Sequence, residues 1–254
     1  MKPLTKTALT SIGLIATDMD GTLTKTGKFT SELLAALEDL VANHLPVLIV
    51  TGRSAGWVSA IANYLPIYGA IAENGGLFYN SKKNQTEFIA RIEDLSHYRQ
   101  TLQTTFLKLQ KRFPEIQESS DNRFRITDWT FDIGNLTPTQ LKKIELICQE
   151  QGFGFTYSTI QCHIKPLQQD KAGALMQLLQ SHFPQLAPRQ VLTVGDSPND
   201  ESLFNPNYFP LSVGVANISH YSDRLKYLPS YITNQPEIQG FCQIRDYLIF
   251  SANN

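Results

Sequence analysis

The feature that most constrains this chain is an apolar run, residues 12–17, that ends abruptly in Asp18, Met19, Asp20 and Gly21. A short apolar run that passes directly into acid and glycine predicts a buried parallel strand that feeds a loop at its carboxyl end. Side chains alternate along an extended chain, so Asp18 and Asp20 should lie on one side and Met19 on the other. Two carboxylates this close repel each other unless a cation lies between them or one carries a proton. Oxygen donors in a small cluster suit Mg²⁺, and the loop is therefore predicted to bind this ion.

Two later apolar runs also pass abruptly into polar residues. Residues 47–50 lead into Thr51 and Arg53, and residues 190–194 lead to Asp196. Parallel strands joined by helices have their carboxyl ends at one edge of a sheet, which is where open α/β sheets bind ligands. We therefore expect both loops to lie beside the first acidic loop. Thr51 offers a hydroxyl to an anion, whereas Arg53 either contacts the anion or pairs with a carboxylate.

A lysine at the start of a predicted helix is the fourth feature. Residues 170–179 carry leucines at helical spacing, with Lys171 in the first turn. A cation in the first turn is unfavourable against the helix dipole, and a local conflict of this kind often marks a functional site. The alternative is that Lys171 extends into water.

Taken in order, these segments resemble the four signatures of the haloacid dehalogenase-like (HAD) phosphohydrolases. The matching segments are Asp18-Met19-Asp20-Gly21-Thr22-Leu23-Thr24, Thr51-Gly52-Arg53, Lys171 with the small residues after it, and Gly195-Asp196-Ser197-Pro198-Asn199-Asp200. The resemblance implies that Asp18 is a nucleophile that forms an aspartyl-phosphate and that Asp20 is the general acid and base. It implies that Mg²⁺ is bound by Asp18, the backbone carbonyl of Asp20 and Asp196. It further implies catalytic roles for Thr51 and Lys171, phosphate-binding roles for Met19, Gly21, Thr51, Gly52, Lys171 and Asn199, and supporting roles for Arg53 and Asp200.

The fold class predicted from these patterns is α/β. We expect a Rossmann-like parallel-sheet core formed by residues 1–79 and 168–254, interrupted by a cap domain at residues 80–167. The inserted segment combines helical and alternating patterns, which favours an antiparallel sheet backed by two helices. Its predicted helices are 96–113 and 138–151, and its predicted strands are 123–127, 129–133, 153–157 and 161–165. An insertion after the third core strand resembles the type II, α+β caps of the HAD family.

The stretch Glu73-Asn74-Gly75 precedes the insertion and is interpreted as a tight turn that serves as the hinge, without a catalytic role for Asn74. Within the insertion, five polar side chains on predicted strands are candidates for substrate contacts. Alternation alone also places polar side chains outward, so solvated strand residues are the alternative. His163 has no partner at metal-ligand spacing. The candidates are Arg123, Arg125, Asp132, His163 and Lys165.

Composition excludes several classes of function. A net charge of −1 argues against a large binding surface for nucleic acid or for a membrane. Cys148, Cys162 and Cys242 form no CxxC pair, which indicates reduced cysteines and not a disulfide framework or a zinc site. The first apolar run is too short for a membrane span, and no signal-peptide pattern precedes it. We therefore expect a cytoplasmic monomer or weak homodimer.

The place of the insertion resembles the Cof-type, sucrose-phosphate and mannosyl-phosphoglycerate phosphatase group. The predicted activity is Mg²⁺-dependent hydrolysis of a small phosphorylated metabolite, either a sugar phosphate or a glycosyl-phosphoglycerate. Two alternatives are a phosphosugar mutase of the phosphomannomutase type and a non-catalytic phosphosugar-binding protein. Intact Asp18, Asp20, Lys171 and Asp196 argue against the non-catalytic alternative.

Overall fold

The computed structural model describes residues 1–252. It contains a large nine-stranded sheet and a small three-stranded sheet. The strands are β1 (Lys2–Pro3), β2 (Leu14–Thr17), β3 (Val47–Val50), β4 (Gly69–Ala72), β5 (Leu77–Asn80), β6 (Gln85–Phe88), β7 (Trp129–Asp132), β8 (Phe153–Tyr157), β9 (Gln161–Pro166), β10 (Val191–Gly195), β11 (Ser212–Gly214) and β12 (Tyr231–Ile232). The helices are α1 (Ser31–Ala42), α2 (Ala55–Tyr64), α3 (Leu95–Arg112), α4 (Pro138–Glu150), α5 (Lys171–His182) and α6 (Glu237–Ala252).

The large sheet has the strand order β1-β12-β11-β10-β2-β3-β4-β5-β6. All strands from β1 to β4 in that order run parallel, and β5 and β6 add an antiparallel hairpin at one edge. The three strands that end in the predicted acidic and threonine loops, β10, β2 and β3, are direct neighbours. Their carboxyl ends therefore meet at one edge, as the sequence predicts.

Helices cover both faces of the large sheet, so its central strands are apolar on both sides. Ile15 and Ile49 pack with side chains of α1, α2 and α6 on one face. Leu14 and Leu48 pack against α5 on the opposite face. The α/β class predicted from continuous apolar runs is confirmed.

The small sheet has the antiparallel order β7-β9-β8. Helices α3 and α4 pack on it through an apolar cluster that includes Leu102, Phe106, Phe131, Ile144 and Ile164. Helix α4 begins with a capping box in which Thr137 and Gln140 bond reciprocally. The predicted antiparallel sheet backed by two helices is thus present. We call α3, α4 and β7–β9, with their connecting segments, the cap module.

The structure differs from the sequence-based prediction at one segment and bears on one predicted boundary. Residues 123–127, predicted as a strand, follow a different course: a 3-10 helix spans Asn122–Phe124, and the backbone N–H groups of Ile126 and Thr127 donate to the Glu73 carboxylate instead of to a neighbouring strand. Strand β6 lies beyond residue 80 but pairs with β5 in the large sheet. The division of the chain at residues 80 and 167 stays a prediction.

None of the helices in residues 1–252 has both the length and the apolar character needed to cross a membrane.

Gly69 tests the packing between β4 and the neighbouring strand β5. A Cβ at this position would overlap the carbonyl oxygen of Tyr79 and lie 2.6 Å from Cε2 of Phe78. Gly69→Ala should lower the free energy of unfolding by about 1–3 kcal/mol, because backbone on the paired strand cannot move aside. Urea unfolding measures the change.

Gly173→Ala in α5 is the matched control, since a Cβ there would meet its nearest atom at an ordinary 3.5 Å. It should be neutral or stabilising because alanine favours helix. Equal stability of the two variants would contradict the packing argument.

Candidate active site

The loops after β2, β3 and β10 bring Asp18, Thr51 and Asp196 to one buried edge of the sheet. Each of these side chains is at most 3% exposed. The backbone N–H of Asp18 donates to the carbonyl of Val194 at 2.8 Å, which links the loop after β2 directly to β10. Met19 points away into the apolar cluster of the core, as alternation predicts. The sequence prediction of a single polar site at this edge therefore agrees with the structure.

Lys171 lies at the centre of this edge. Asp170 caps α5 by accepting from the N–H of Gly173 at 2.7 Å, which places Lys171 in the first turn. The side chain is fully buried, and its Nζ contacts Asp18 and lies 2.6 Å from Oδ1 of Asp200. Although burial opposes the charge, these two carboxylates raise the pKa of Lys171. The conflict with the helix dipole is offset by two anions, and the alternative of a solvated lysine is wrong.

Asp200 supports the site by a second set of bonds. Its Oδ2 accepts from the backbone N–H groups of Asp196 and Ser197 at 2.9 and 3.1 Å. Its Oδ1 accepts a hydrogen bond from the ammonium group of Lys171. Asp200 thus shapes the loop after β10, and the supporting role expected of it in catalysis stays a prediction.

Carboxylate oxygens of Asp18, Asp196 and Asp200 lie within 4.8 Å of one another. Burial and the nearby Asp200 raise the pKa of Asp18 to about 8, and burial and Asp18 raise the pKa of Asp196 well above its usual range. With all three carboxylates ionised, the cluster would hold more negative charge than Lys171 balances. Among the described residues, Asp200 accepts three hydrogen bonds, whereas Asp196 accepts two and Asp18 one. Asp18 and Asp196 are therefore the carboxylates better placed to bind a hard cation, and an oxygen-only donor set fits Mg²⁺.

Two neighbours of Asp196 complete its environment. The Thr22 hydroxyl donates to Oδ1 at 3.3 Å, and Nδ2 of Asn217 donates to Oδ2 at 2.8 Å. Asn217 also donates to the carbonyl of Gly21. Gly21 has a φ of +81°, and a Cβ there would lie 2.9 Å from Cγ of Asp196, so only glycine fits this turn. No sequence pattern identifies Asn217, because its contacts with Gly21 and Asp196 depend on the path of the loop after β11.

Arg53 pairs with the second acidic residue of the first loop. Its Nε and Nη2 donate to the two carboxylate oxygens of Asp20 at 2.8 and 2.6 Å. This hydrogen bonding raises the pKa of Arg53, and the guanidinium lies over the ring of Trp57. Of the two roles left open for Arg53, pairing with a carboxylate is the one observed. Bidentate pairing also orients Asp20 toward the edge of the site.

Glu73 joins the large sheet to the cap module. It follows β4 and is fully buried. Its carboxylate accepts from the N–H of Ala55, from the N–H groups of Ile126 and Thr127, and from the Thr127 hydroxyl, at 2.6 to 3.1 Å. Burial raises the pKa of Glu73 to about 7. The turn predicted as a hinge at Glu73-Asn74-Gly75 is therefore also a point where the cap module is bonded to the core.

The interpretation of the cap-module candidates as solvated strand residues is wrong for three of them, because they are buried. Arg125 donates to the carbonyl of Gly52 at 2.9 Å and to Asp121, Asp128 and Gln161. Nδ1 of His163 lies 2.8 Å from Oδ2 of Asp128, and Lys165 donates to the carbonyl of Gln169.

The two remaining candidates lie away from the site. Arg123 is exposed over the ring of Phe124. Asp132 is exposed and accepts from the Ser119 hydroxyl. Neither side chain lines the cavity between the core and the cap module.

A cavity of about 20 Å³ separates the two parts of the site, which is room for about one water molecule. From the core it is lined by Asp18, Asp20, Thr51, Gly52, Arg53, Ser197 and Asn199, and from the cap module by Ser158, Ile160, Gln161 and His163. The structure is therefore a closed state. Sequence reasoning missed Ser158, Ile160 and Gln161, since nothing in their local pattern shows that β8 and β9 face the core.

Comparison with known proteins gives a consistent assignment. The family model for sucrose-6F-phosphate phosphohydrolase matches residues 12–243. A phosphoglycolate phosphatase of Methanothrix thermoacetophila is 26% identical over 242 residues, which cover 93% of this chain and 97% of that protein.

Solved structures share the fold. A protein of Thermoplasma acidophilum superposes with a TM-score of 0.75 at 21% identity, covering 94% of this chain and 99% of that one. The sucrose-phosphatase of Synechocystis, solved with sucrose and phosphate, superposes with a TM-score of 0.67 at 17% identity, covering 94% and 98%. The chain belongs to the sucrose-6F-phosphate phosphohydrolase family and is a phosphatase of the haloacid dehalogenase-like superfamily.

Proposed function

We propose that this phosphatase is Mg²⁺-dependent, acts through an aspartyl-phosphate at Asp18, and takes a sugar phosphate as substrate. The observation that carries the proposal is the buried cluster of Asp18, Asp196 and Lys171. A carboxylate nucleophile beside an ammonium group and a cation site is suited to attack on a phosphate dianion, where positioning and charge neutralisation supply most of the catalysis.

In the first step, an Asp18 oxygen attacks phosphorus and the bond from phosphorus to the leaving oxygen breaks. Asp20 gives a proton to that oxygen and later removes one from the water that hydrolyses the aspartyl-phosphate. Both Asp20 oxygens accept from Arg53 in the closed state, so Arg53 must release one of them for the proton transfer. Mg²⁺ held by Asp18, Asp196 and the backbone carbonyl of Asp20 would neutralise charge on the phosphoryl group. Thr51 and Lys171 hold phosphoryl oxygens.

Asp18→Asn should lower the rate of phosphate release by more than about 10³-fold, because an amide cannot serve as the nucleophile. Excess chelator should abolish the activity of the unmodified protein, and added Mg²⁺ should restore it. Asp223→Asn, at an exposed carboxylate, is the matched control and should be as active as wild type.

Full activity in chelator would contradict the metal requirement. Activity of Asp18→Asn close to wild type would contradict the assigned nucleophile. Transfer of phosphate between positions of a sugar without phosphate release would instead favour a mutase.

The residues that line the cavity favour a substrate whose leaving group carries no charge. Among the described residues that line the cavity, Arg53 is the only permanent cation, and its guanidinium is already paired with the Asp20 carboxylate. Burial lowers the pKa of His163, so its ring is neutral, and its Nδ1–H donates to the Asp128 carboxylate. Nε2 is then left as an acceptor, which suits a hydroxyl group and not a carboxylate.

This chemistry favours a hydroxyl-rich sugar over phosphoglycolate, the substrate in the names of the curated relatives. A glycosyl-phosphoglycerate also carries a carboxylate and is less well matched to the same wall. The cap module contributes Ser158, Gln161 and His163 as neutral polar groups toward the leaving group. Because the closed cavity is far smaller than a sugar phosphate, the cap module must open for the substrate to enter.

His163→Phe tests this substrate class. It should lower kcat/KM for the best sugar phosphate by about 10-fold, the effect of losing one hydrogen bond to a substrate hydroxyl. It should leave kcat/KM for p-nitrophenyl phosphate, which has no hydroxyl in its leaving group, unchanged. The measurement is phosphate release from sugar phosphates, a glycosyl-phosphoglycerate and phosphoglycolate, with both proteins. Preference for phosphoglycolate, or an equal loss on p-nitrophenyl phosphate, would contradict the proposal.

A further inference from the structure

Asn74, in the hinge after β4, has a backbone conformation that is unusual for a residue with a side chain. Its φ is +54°, in the left-handed region, and the preceding Glu73 has the same φ. The N–H of Asn74 donates to the carbonyl of Thr51 at 2.9 Å, which holds the residue against the loop after β3. Asparagine is among the side chains best tolerated in this region, but glycine would adopt it at lower cost. The side chain therefore needs an explanation beyond the turn.

The amide of Asn74 is oriented by a chain of hydrogen bonds. The Ser197 hydroxyl donates to Oδ1 of Asn199 at 2.7 Å, and Nδ2 of Asn199 donates to Oδ1 of Asn74 at 3.0 Å. This order leaves Nδ2 of Asn74 as a donor. Among residues 1–252 that nitrogen has no hydrogen-bond partner, although the residue is only 1% exposed. A buried donor in a native protein nearly always has an acceptor, so one is missing here.

The unpartnered donor lies beside Gly52, a residue that lines the active-site cavity. A Cβ built on Gly52 would lie 3.1 Å from Nδ2 of Asn74 and 3.1 Å from Cε1 of His163. Gly52, His163 and Asn199 all line the cavity that Asp18 enters. The absence of a side chain at Gly52 thus leaves the amide next to the space where a ligand of Asp18 would lie.

We propose that Asn74 is a catalytic residue whose Nδ2 donates to a non-bridging oxygen of the transferred phosphate, and that Asn199 positions it. The proposal rests on the proposed function, because it requires a phosphate at Asp18. The carboxylates of Asp18, Asp196 and Asp200 lie within 4.8 Å of one another. Beside such a cluster, a neutral donor adds attraction for a phosphate oxygen without adding a titratable group. A role for Asn74 at the phosphate also explains why this hinge position carries asparagine and not glycine.

Asn74→Gly is the principal test. It removes the amide and suits the left-handed backbone, so a loss cannot come from backbone strain. We expect inorganic phosphate, titrated in excess Mg²⁺ by calorimetry, to bind about 10-fold more weakly, and kcat/KM to fall by about 10²-fold. The loss should be the same for a sugar phosphate and for p-nitrophenyl phosphate, because the contact is to the phosphoryl group. The matched control is Asn84→Gly, at an exposed asparagine with a φ of +49° in the β5–β6 turn, which should change neither value.

Asn74→Asp provides a second variant of the same shape. It keeps an oxygen to accept from Asn199 but replaces the donor with an acceptor, so it should bind phosphate more weakly than Asn74→Gly. A role confined to shaping the hinge predicts no such order. If Asn74→Gly does not fold, Asn74→Asp is compared with the wild type instead, and wild-type affinity for phosphate in Asn74→Asp would then overturn the proposal.

Wild-type affinity for phosphate in Asn74→Gly would overturn the proposal, and so would a loss confined to the sugar ester. Failure of the wild type to bind phosphate in Mg²⁺ would also overturn it. The proposed function fails separately, if the wild type binds phosphate but hydrolyses no ester. In that case the affinity of Asn74→Gly for phosphate still decides the role of Asn74.

Discussion

The contact between the Lys171 ammonium and the carboxylates of Asp18 and Asp200 is the interaction on which the rest of the site depends. These groups come from the start of α5 and from the loops after β2 and β10, and all are removed from water. Removing one partner from a buried ion pair leaves an uncompensated charge, at a cost of about 3–5 kcal/mol. The position of α5 in the core is thereby linked to the loops after β2 and β10. One ammonium among several carboxylates also leaves negative charge for a cation to balance.

The parts of this structure that sequence predicts best follow from rules that apply regardless of neighbours. Parallel strands end at a common edge, so residues as distant as Asp18 and Asp196 could be placed together. Alternating and helical periodicity similarly predicted the sheet and helices of the cap module. A cation that conflicts locally with a helix start marks Lys171 as a candidate, and the resemblance to the HAD signatures implies its role.

The parts that sequence could not predict depend on how the cap module docks on the core. Arg125 and His163 resemble surface strand residues in their local pattern, yet both are buried at the boundary with Gly52. Residues 123–127 alternate like a strand, but the Glu73 carboxylate takes the N–H groups that a neighbouring strand would need. Periodicity reports which side of a segment is polar. It does not report whether that side meets water or another part of the chain.

The attachment of the cap module at Glu73 has a consequence for how this fold can change in evolution. Of the donors that Glu73 receives from the cap module, two are backbone N–H groups and one is the Thr127 hydroxyl. A backbone N–H is supplied by every residue type except proline. Side chains around the leaving group can therefore be replaced while most of this attachment persists. During evolution, the cap-module residues that contact the leaving group can therefore change, and with them the substrate, while the hydrogen bonds to Glu73 that attach the cap module are kept.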